Sequence, residues 1–184
     1  MKIILCPNPF RDKGLKAAYQ AQRILSAAGA KTEYCFPFRV EKSNIGDIDP
    51  SIKIKEMKSE LPDADFLVCF GGDGTILHAA KDASSFGVPI VGVNMGSVGF
   101  MAELEQGELS DLARLVSGEY TLENRMLLDV RVIREGRVIF RSTALNDAVI
   151  TKGAVARVID LQVYGDKVLI SNVFGDGVIL STPT

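Results

Sequence analysis

A chain of 184 residues, 47% hydrophobic and 24% charged with 17 glycines, has the make-up of one ordinary globular domain or two small ones. Its formal charge of −2 supplies no basic field for nucleic acid, although backbone amides can still bind small anions locally. No apolar run approaches the roughly 20 residues that span a bilayer, and no charged, apolar and small-residue pattern at the N-terminus marks a secretion signal. Nucleic-acid and membrane partners are therefore not expected. The three cysteines, Cys6, Cys35 and Cys69, lie in or beside predicted strands with no CxxC spacing. They read as small buried hydrophobes rather than a disulfide or zinc set, which places the protein in a reducing, cytoplasmic compartment.

The first hundred residues alternate short apolar runs with helical segments, the mark of a parallel sheet wrapped by helices. Residues 2–6 form the first predicted strand, closed by Pro7-Asn8-Pro9. Leu15, Ala18, Ala21, Ile24, Leu25 and Ala28 recur at helical spacing over 13–28, and Gly29 stops that helix. A second strand is expected over 32–36, loop over 39–52 and a short helix near 53–60. Phe66-Leu67-Val68-Cys69-Phe70 is a continuous apolar run, as in a strand buried on both faces. A helix starting at Gly74 or Thr75 and a strand over Val88 to Val93 follow.

The pattern changes after about residue 101, beginning with one more amphipathic helix over 108–117. Beyond it the period becomes two: Leu128, Val130 and Val132 alternate with Asp129 and Arg131, and Glu135-Gly136 supplies a hairpin turn before Val138-Ile139-Phe140. Tyr164-Gly165-Asp166-Lys167 and Gly175-Asp176-Gly177 are two further hairpin signals. The expected organisation is an α/β domain over 1–101 with an open, mostly parallel, Rossmann-like sheet, then an incomplete antiparallel β-rich domain over 102–184. Val178-Ile179-Leu180-Ser181 reads as a strand and Thr182-Pro183-Thr184 then stops, so a partial chain is expected.

Chemistry concentrates in Gly71-Gly72-Asp73-Gly74-Thr75, between the buried strand and a helix. Its glycines let the backbone approach a ligand closely, and the helix start aims unpaired amides and a positive dipole end at the loop. Those are the elements of a phosphate site. An aspartate there would repel phosphate, so Asp73 fits better as a magnesium-associated carboxylate or as the base for an attacking hydroxyl. The plain alternative is a tight strand-to-helix turn with Asp73 as N-cap. Neither a Walker A loop nor a clean GxGxxG is present; Gly92-Val-Asn94-Met-Gly96-Ser-Val-Gly99 carries Asn94 where the second glycine should be. This second glycine-dense segment also leaves a strand, so the two loops can line one crevice at the carboxyl edge of the sheet. Phe100 can stack on a base or belong to the core. Asn146-Asp147 can bracket vicinal ribose hydroxyls or form a turn. Asp176 is equally a hairpin tip, and His78, the single histidine, has no evident catalytic partners.

In order, Gly71 to Thr75, Gly92 to Phe100, Arg125-Met126-Leu127-Leu128, Leu145 to Ile150 and Gly175 to Thr184 resemble the ATP-NAD kinase family. Diacylglycerol and sphingosine kinases share the first segment alone; the ordered set is more specific. The resemblance implies transfer of the γ-phosphate of ATP, with Mg2+ or another divalent cation, to the adenosine-ribose 2′-hydroxyl of NAD. It implies that Asp73 is the general base and that Gly71, Gly72, Gly74 and Thr75 handle phosphates. Asn94 joins the nucleotide-binding set, Phe100 stacks on adenine, Asn146 and Asp147 hold the adenosine portion, and Asp176 contacts NAD. It further implies a homodimer or homotetramer and a chain that continues past Thr184. The family usually carries Asn-Glu where this chain has Asn146-Asp147, a carboxylate one methylene shorter. Two other readings remain open on the residues: a lipid kinase sharing the glycine-aspartate loop, and a non-enzymatic nucleotide-binding module.

Overall fold

The computed structural model describes residues 1–41, 48–96, 99–153 and 157–183. Part of the predicted 39–52 loop, Ser97-Val98 of the second glycine segment and Thr184 lie outside the described residues. The chain divides into two compact units, Met1–Glu123 and Asn124–Thr184.

The first unit is an α/β layer structure. Strand β1 (Lys2–Pro7) leads through a 3-10 turn at Lys13–Leu15 into helix α1 (Lys16–Ala27), then β2 (Lys31–Cys35) and β3 (Ile54–Lys55). The short helix α2 (Met57–Glu60), β4 (Phe66–Gly71), α3 (Asp73–Ala83), β5 (Ile90–Asn94) and β6 (Leu104–Glu105) follow. A 3-10 segment at Gln106–Leu112 then runs into α4 (Ala113–Ser117). All pairings are parallel, in the order β3-β2-β1-β4-β5-β6. The continuous apolar run of β4 is buried at every position, because helices cover both faces of the sheet.

Strand alternation sorts the core onto those two faces. Ile3, Leu5, Val68 and Phe70 pack with Ala18, Ala21 and Leu25 of α1 and with Leu109 and Leu112. Ile4, Cys6, Leu67 and Cys69 point the other way, against Met57, Leu61, Ile76, Ala79 and Ala83. Each fully buried Leu, Ile or Phe contributes about 1.5–3 kcal/mol. The helix start at Lys16 has a specific cause: the buried Asp12 carboxylate accepts from the amides of Ala17 and Ala18, both at 3.0 Å. That satisfies two orphan donors of the first turn. All three cysteines are buried and free.

Two expectations need correction. The division between units falls after Glu123 rather than near residue 101, because Leu109, Leu112 and Leu115 join the core cluster built on α1 and β1. The change of sequence pattern marks the end of the parallel sheet, not the end of its covering layer. In the second unit, β7 (Leu128–Arg134) and β8 (Arg137–Ala144) form the expected hairpin across Glu135 and Gly136, both with positive φ. β10 (Ile159–Gly165) and β11 (Val168–Gly175) form the second, across Asp166 and Lys167. The third signal, Gly175-Asp176-Gly177, is not a hairpin. β12 (Gly177–Ser181) pairs antiparallel with β9 (Asp147–Thr151) instead of folding back on β11. A Cβ on Gly177 would stand 2.1 Å from the Ile150 carbonyl oxygen, so the glycine is required by this close approach to β9. Among the described residues of the second unit only Thr182 is buried.

Candidate active site: the glycine-aspartate loop

The strand order contains one reversal. From β1 the chain steps outward to β2 and β3, then returns to the other side of β1 with β4 and continues to β5 and β6. The topological switch point thus lies between β1 and β4, and ligands of open α/β sheets bind outside the carboxyl ends of the strands at such a point. Gly71 is the last residue of β4, and Gly72 is the extended N-cap of α3. Asp73 and Gly74 occupy the first turn, whose amides have no intrahelical acceptor. The dipole of an 11-residue helix adds partial positive charge at the same point.

Asp73 does not cap its own helix. Its Oδ1 accepts from the amide of Met101 at 3.1 Å and its Oδ2 from the amide of Phe100 at 3.4 Å, both in the segment after β5. This distinguishes the loop from a plain strand-to-helix turn, in which the carboxylate would bond amides of its own first turn. A carboxylate accepts about four hydrogen bonds, so these two orient Asp73 while leaving lone pairs for a further donor. The loops are also tied through their backbones, with the Met95 amide donating to the Gly71 carbonyl at 3.0 Å. Thr75 is buried and its hydroxyl oxygen accepts from Asn8 Nδ2 at 3.0 Å. A Cβ on Gly71 would lie 2.1 Å from that same oxygen, so only glycine fits where β4 turns into α3.

Asn94 ends β5 and its side chain is buried. Nδ2 donates to both oxygens of Glu105, at 3.1 and 3.3 Å, while Oδ1 accepts from the Gly96 amide at 3.0 Å. Asn94 therefore braces the second glycine loop from beneath. Glu103 does the same one step earlier, accepting from the Gly92 amide at 2.6 Å. Phe100 is 87% exposed beside Asp73 and is not a core residue. Sequence reasoning missed Asn8, Glu103 and Glu105 as parts of this frame. Asn8 carried a signal, being set between two prolines directly after a strand; the glutamates carried none.

The remaining predicted residues lie in the second unit, on the β9–β12 ribbon. Asn146 and Asp147 sit at one end, where Asp147 pairs with Ser181. The Thr182 amide donates to the Asn146 carbonyl at 2.7 Å, and its hydroxyl to the Leu145 and Asn146 carbonyls at 3.1 and 3.2 Å. Asp176 sits at the other end, beside the Gly177–Thr151 pair. Its carboxylate meets Lys152 Nζ at 2.7 Å, and its carbonyl accepts from the Lys152 amide at 2.9 Å. Asp176 lies level with Lys152, five residues along from Asp147, so at about 3.4 Å per residue the strand separates the two groups by roughly 17 Å. They cannot bind one ribose together; they can bind opposite ends of an extended ligand.

Comparison with known proteins agrees with this architecture. The family model described as "ATP-NAD kinase N-terminal domain" matches residues 8–120. A curated NAD kinase of Thermoanaerobacter sp. (strain X514) is 41% identical over all of this chain, which covers 63% of that protein. One from Ruminiclostridium cellulolyticum is 32% identical over all of this chain and 62% of its own length. The chain thus spans 62–63% of the length of these curated relatives. A crystal structure of yeast NADH kinase complexed with NADH superposes with a TM-score of 0.81 at 19% identity, covering 100% of this chain and 57% of that one, which supports the fold. With its α/β unit matched over residues 8–120, the chain belongs to the ATP-NAD kinase family.

Proposed function

We propose that the protein is an NAD kinase, transferring the γ-phosphoryl group of ATP to the 2′-hydroxyl of the adenosine ribose of NAD to give NADP and ADP. Asp73 is the general base. It takes the proton of the 2′-hydroxyl as that oxygen bonds to the γ-phosphorus, and the bond from that phosphorus to the β–γ bridging oxygen breaks. The observation that carries the reading is the pair of Asp73 hydrogen bonds to the Phe100 and Met101 amides. They hold a carboxylate beside the first-turn amides of α3, where a phosphate chain and an acceptor hydroxyl can meet. A loose phosphoryl transfer asks mainly for such positioning and for charge neutralisation.

In this reading the backbone of Gly71, Gly72 and Gly74 lines the phosphate site, while the Thr75 amide, which donates to the Gly72 carbonyl at 2.9 Å, holds the turn in shape. Among the described residues no group of three or more His, Cys, Asp and Glu is arranged to hold a metal. In this reading magnesium enters with the ATP phosphates, with Asp73 as the nearby carboxylate. The exposed Phe100 ring stacks on the adenine of NAD, and Asn94 acts by holding the loop that carries it. Asn146 and Asp147 hold the adenosine portion, while Asp176 contacts a more distant part of the dinucleotide. A homo-oligomer in a reducing cytoplasm belongs to the same reading; the three free buried thiols support the compartment.

Incubating the purified protein with MgATP and NAD, and in parallel with MgATP and diacylglycerol or sphingosine, tests the assignment. NADP formation is expected. Phosphorylation of a lipid with none of NAD overturns the reading in favour of a lipid kinase, and phosphorylation of neither supports the nucleotide-binding module.

A further inference from the structure

The β1 side of the switch-point crevice carries groups that the proposed reaction has not used. Asn8, bonded to Thr75, belongs to the turn that follows β1. Two residues on, Phe10 is 52% exposed, and its ring stacks on Phe38 at a centroid distance of 6.2 Å and an interplanar angle of 9°. Phe38 meets the edge of His78, on α3, at 5.5 Å and 66°. A row of three rings therefore runs from the β1 turn to α3, one turn along from the glycine-aspartate loop. One face of Phe10 is taken by Phe38, and the exposure of the residue leaves the other open.

Charge on this turn has the right sign. Arg11 and Lys13 are exposed and make no ion pair among the described residues. The intervening Asp12 is turned inward, its carboxylate consumed by the first turn of α1. Asp73, by contrast, leans to the β5 side, toward Phe100 and Met101. The loop is thus flanked by an exposed ring on each side, Phe10 toward β1 and Phe100 toward β5. Two nucleotides must meet at it in a reaction between ATP and NAD.

We propose that the open face of Phe10, backed by Phe38 and His78, seats the nucleobase of the phosphate donor, with Arg11 and Lys13 as the cations of its phosphate chain. This rests on the kinase reading above. Base–aromatic stacking of this kind is tolerant of base identity, so the subsite takes nucleoside triphosphates as a class. The donor then approaches from the β1 side and the acceptor from the β5 side, with the α3 first turn between them.

The chain contains no tryptophan, so Phe10→Trp installs a single fluorophore on the shelf. The expected result is saturable quenching by MgATP, with no quenching by NAD or by inorganic tripolyphosphate, which lacks a base. Phe10→Ala is expected to raise the KM for ATP on the order of tenfold with the KM for NAD unchanged, and Phe10→Trp to restore it. Quenching by NAD that ATP relieves only by competition assigns the shelf to the acceptor and overturns the inference. So does an ATP KM insensitive to Phe10→Ala in an enzyme that phosphorylates NAD. Absence of NAD phosphorylation by the unaltered protein refutes instead the kinase reading, and the fluorescence titration still reports whether the shelf binds a nucleotide.

Discussion

Gly71→Ala places a methyl carbon 2.1 Å from Thr75 Oγ1, 2.7 Å from its Cβ and 3.0 Å from its Cγ2. Thr75 has nowhere to retreat: it is 3% exposed, and its hydroxyl is held by Asn8. Either the threonine rotates away or the first turn of α3 shifts outward, and both break the Asn8–Thr75 bond. Losing that bond costs about 0.5–1.5 kcal/mol, and forcing a methyl into a filled site about 1–3 kcal/mol. A total of roughly 1.5–4.5 kcal/mol, at ~4 °C per kcal/mol for a unit of this size, lowers the melting temperature by about 6–18 °C. Gly74→Ala is the internal control. It lies two residues into α3 with nothing within 4 Å of its added Cβ, so it is expected to be neutral or stabilising by up to about 1 kcal/mol. Thermal unfolding followed by far-ultraviolet circular dichroism compares the two. If Gly71→Ala melts together with Gly74→Ala, the tight approach of β4 to Thr75 is wrong.

Three further outcomes follow from other parts of the molecule. Burial pushes the Cys35 thiol from its ordinary value near 9 up to about 12, and raises Cys6 as well. The unfolded chain ionises these thiols first, so their contribution to stability is intact below about pH 9 and falls away as the pH rises toward 12. Urea midpoints between pH 8 and 11 should decline, and less steeply in Cys35→Ala; equal slopes would contradict the burial argument. Gly177→Ala drives a methyl onto the Ile150 carbonyl oxygen. It should raise amide exchange across β9 and β12 while leaving β1 and β4 protected; unchanged exchange would refute that pairing. Phe100→Ala, at an 87% exposed position, is expected to raise the KM for NAD on the order of tenfold without moving the melting temperature. A large loss of stability would show that the ring packs instead.

Much of the glycine-aspartate loop was legible because its signals are local. The apolar run Phe66–Phe70 can only be a strand covered on both faces, and three glycines after it force a tight turn into a helix. What the sequence hid was set by distant partners. Nothing local indicates that β4 returns beside β1, so the expected crevice between the β4 and β5 loops omitted Asn8 and the Phe10 turn. Asp73 fits an N-cap by residue type, and only the approach of residues 100 and 101 shows where its carboxylate goes. The resemblance sets Asn94 among the nucleotide-binding residues, and only the fold shows that Glu105 and Gly96 engage both ends of its amide. Gly175-Asp176-Gly177 has hairpin chemistry, but pairing with β9 prevailed over local turn preference. Residues 102–123 contain no further strand pattern than β6, and their apolar stripe is claimed by α1.

The central claim is that Asp73 is the base on an acceptor hydroxyl of NAD, and Asp73→Asn tests it most directly. The amide keeps the size of the side chain and one acceptor oxygen for the Phe100 and Met101 amides, but it cannot take a proton. Steady-state NADP formation with saturating MgATP should show kcat reduced by about 10²–10⁴-fold, with the KM for NAD within a few-fold and the circular dichroism unchanged. A folded Asp73→Asn protein whose kcat stays within about threefold of the unaltered enzyme, against the 10²–10⁴-fold expected of a lost general base, would contradict the account.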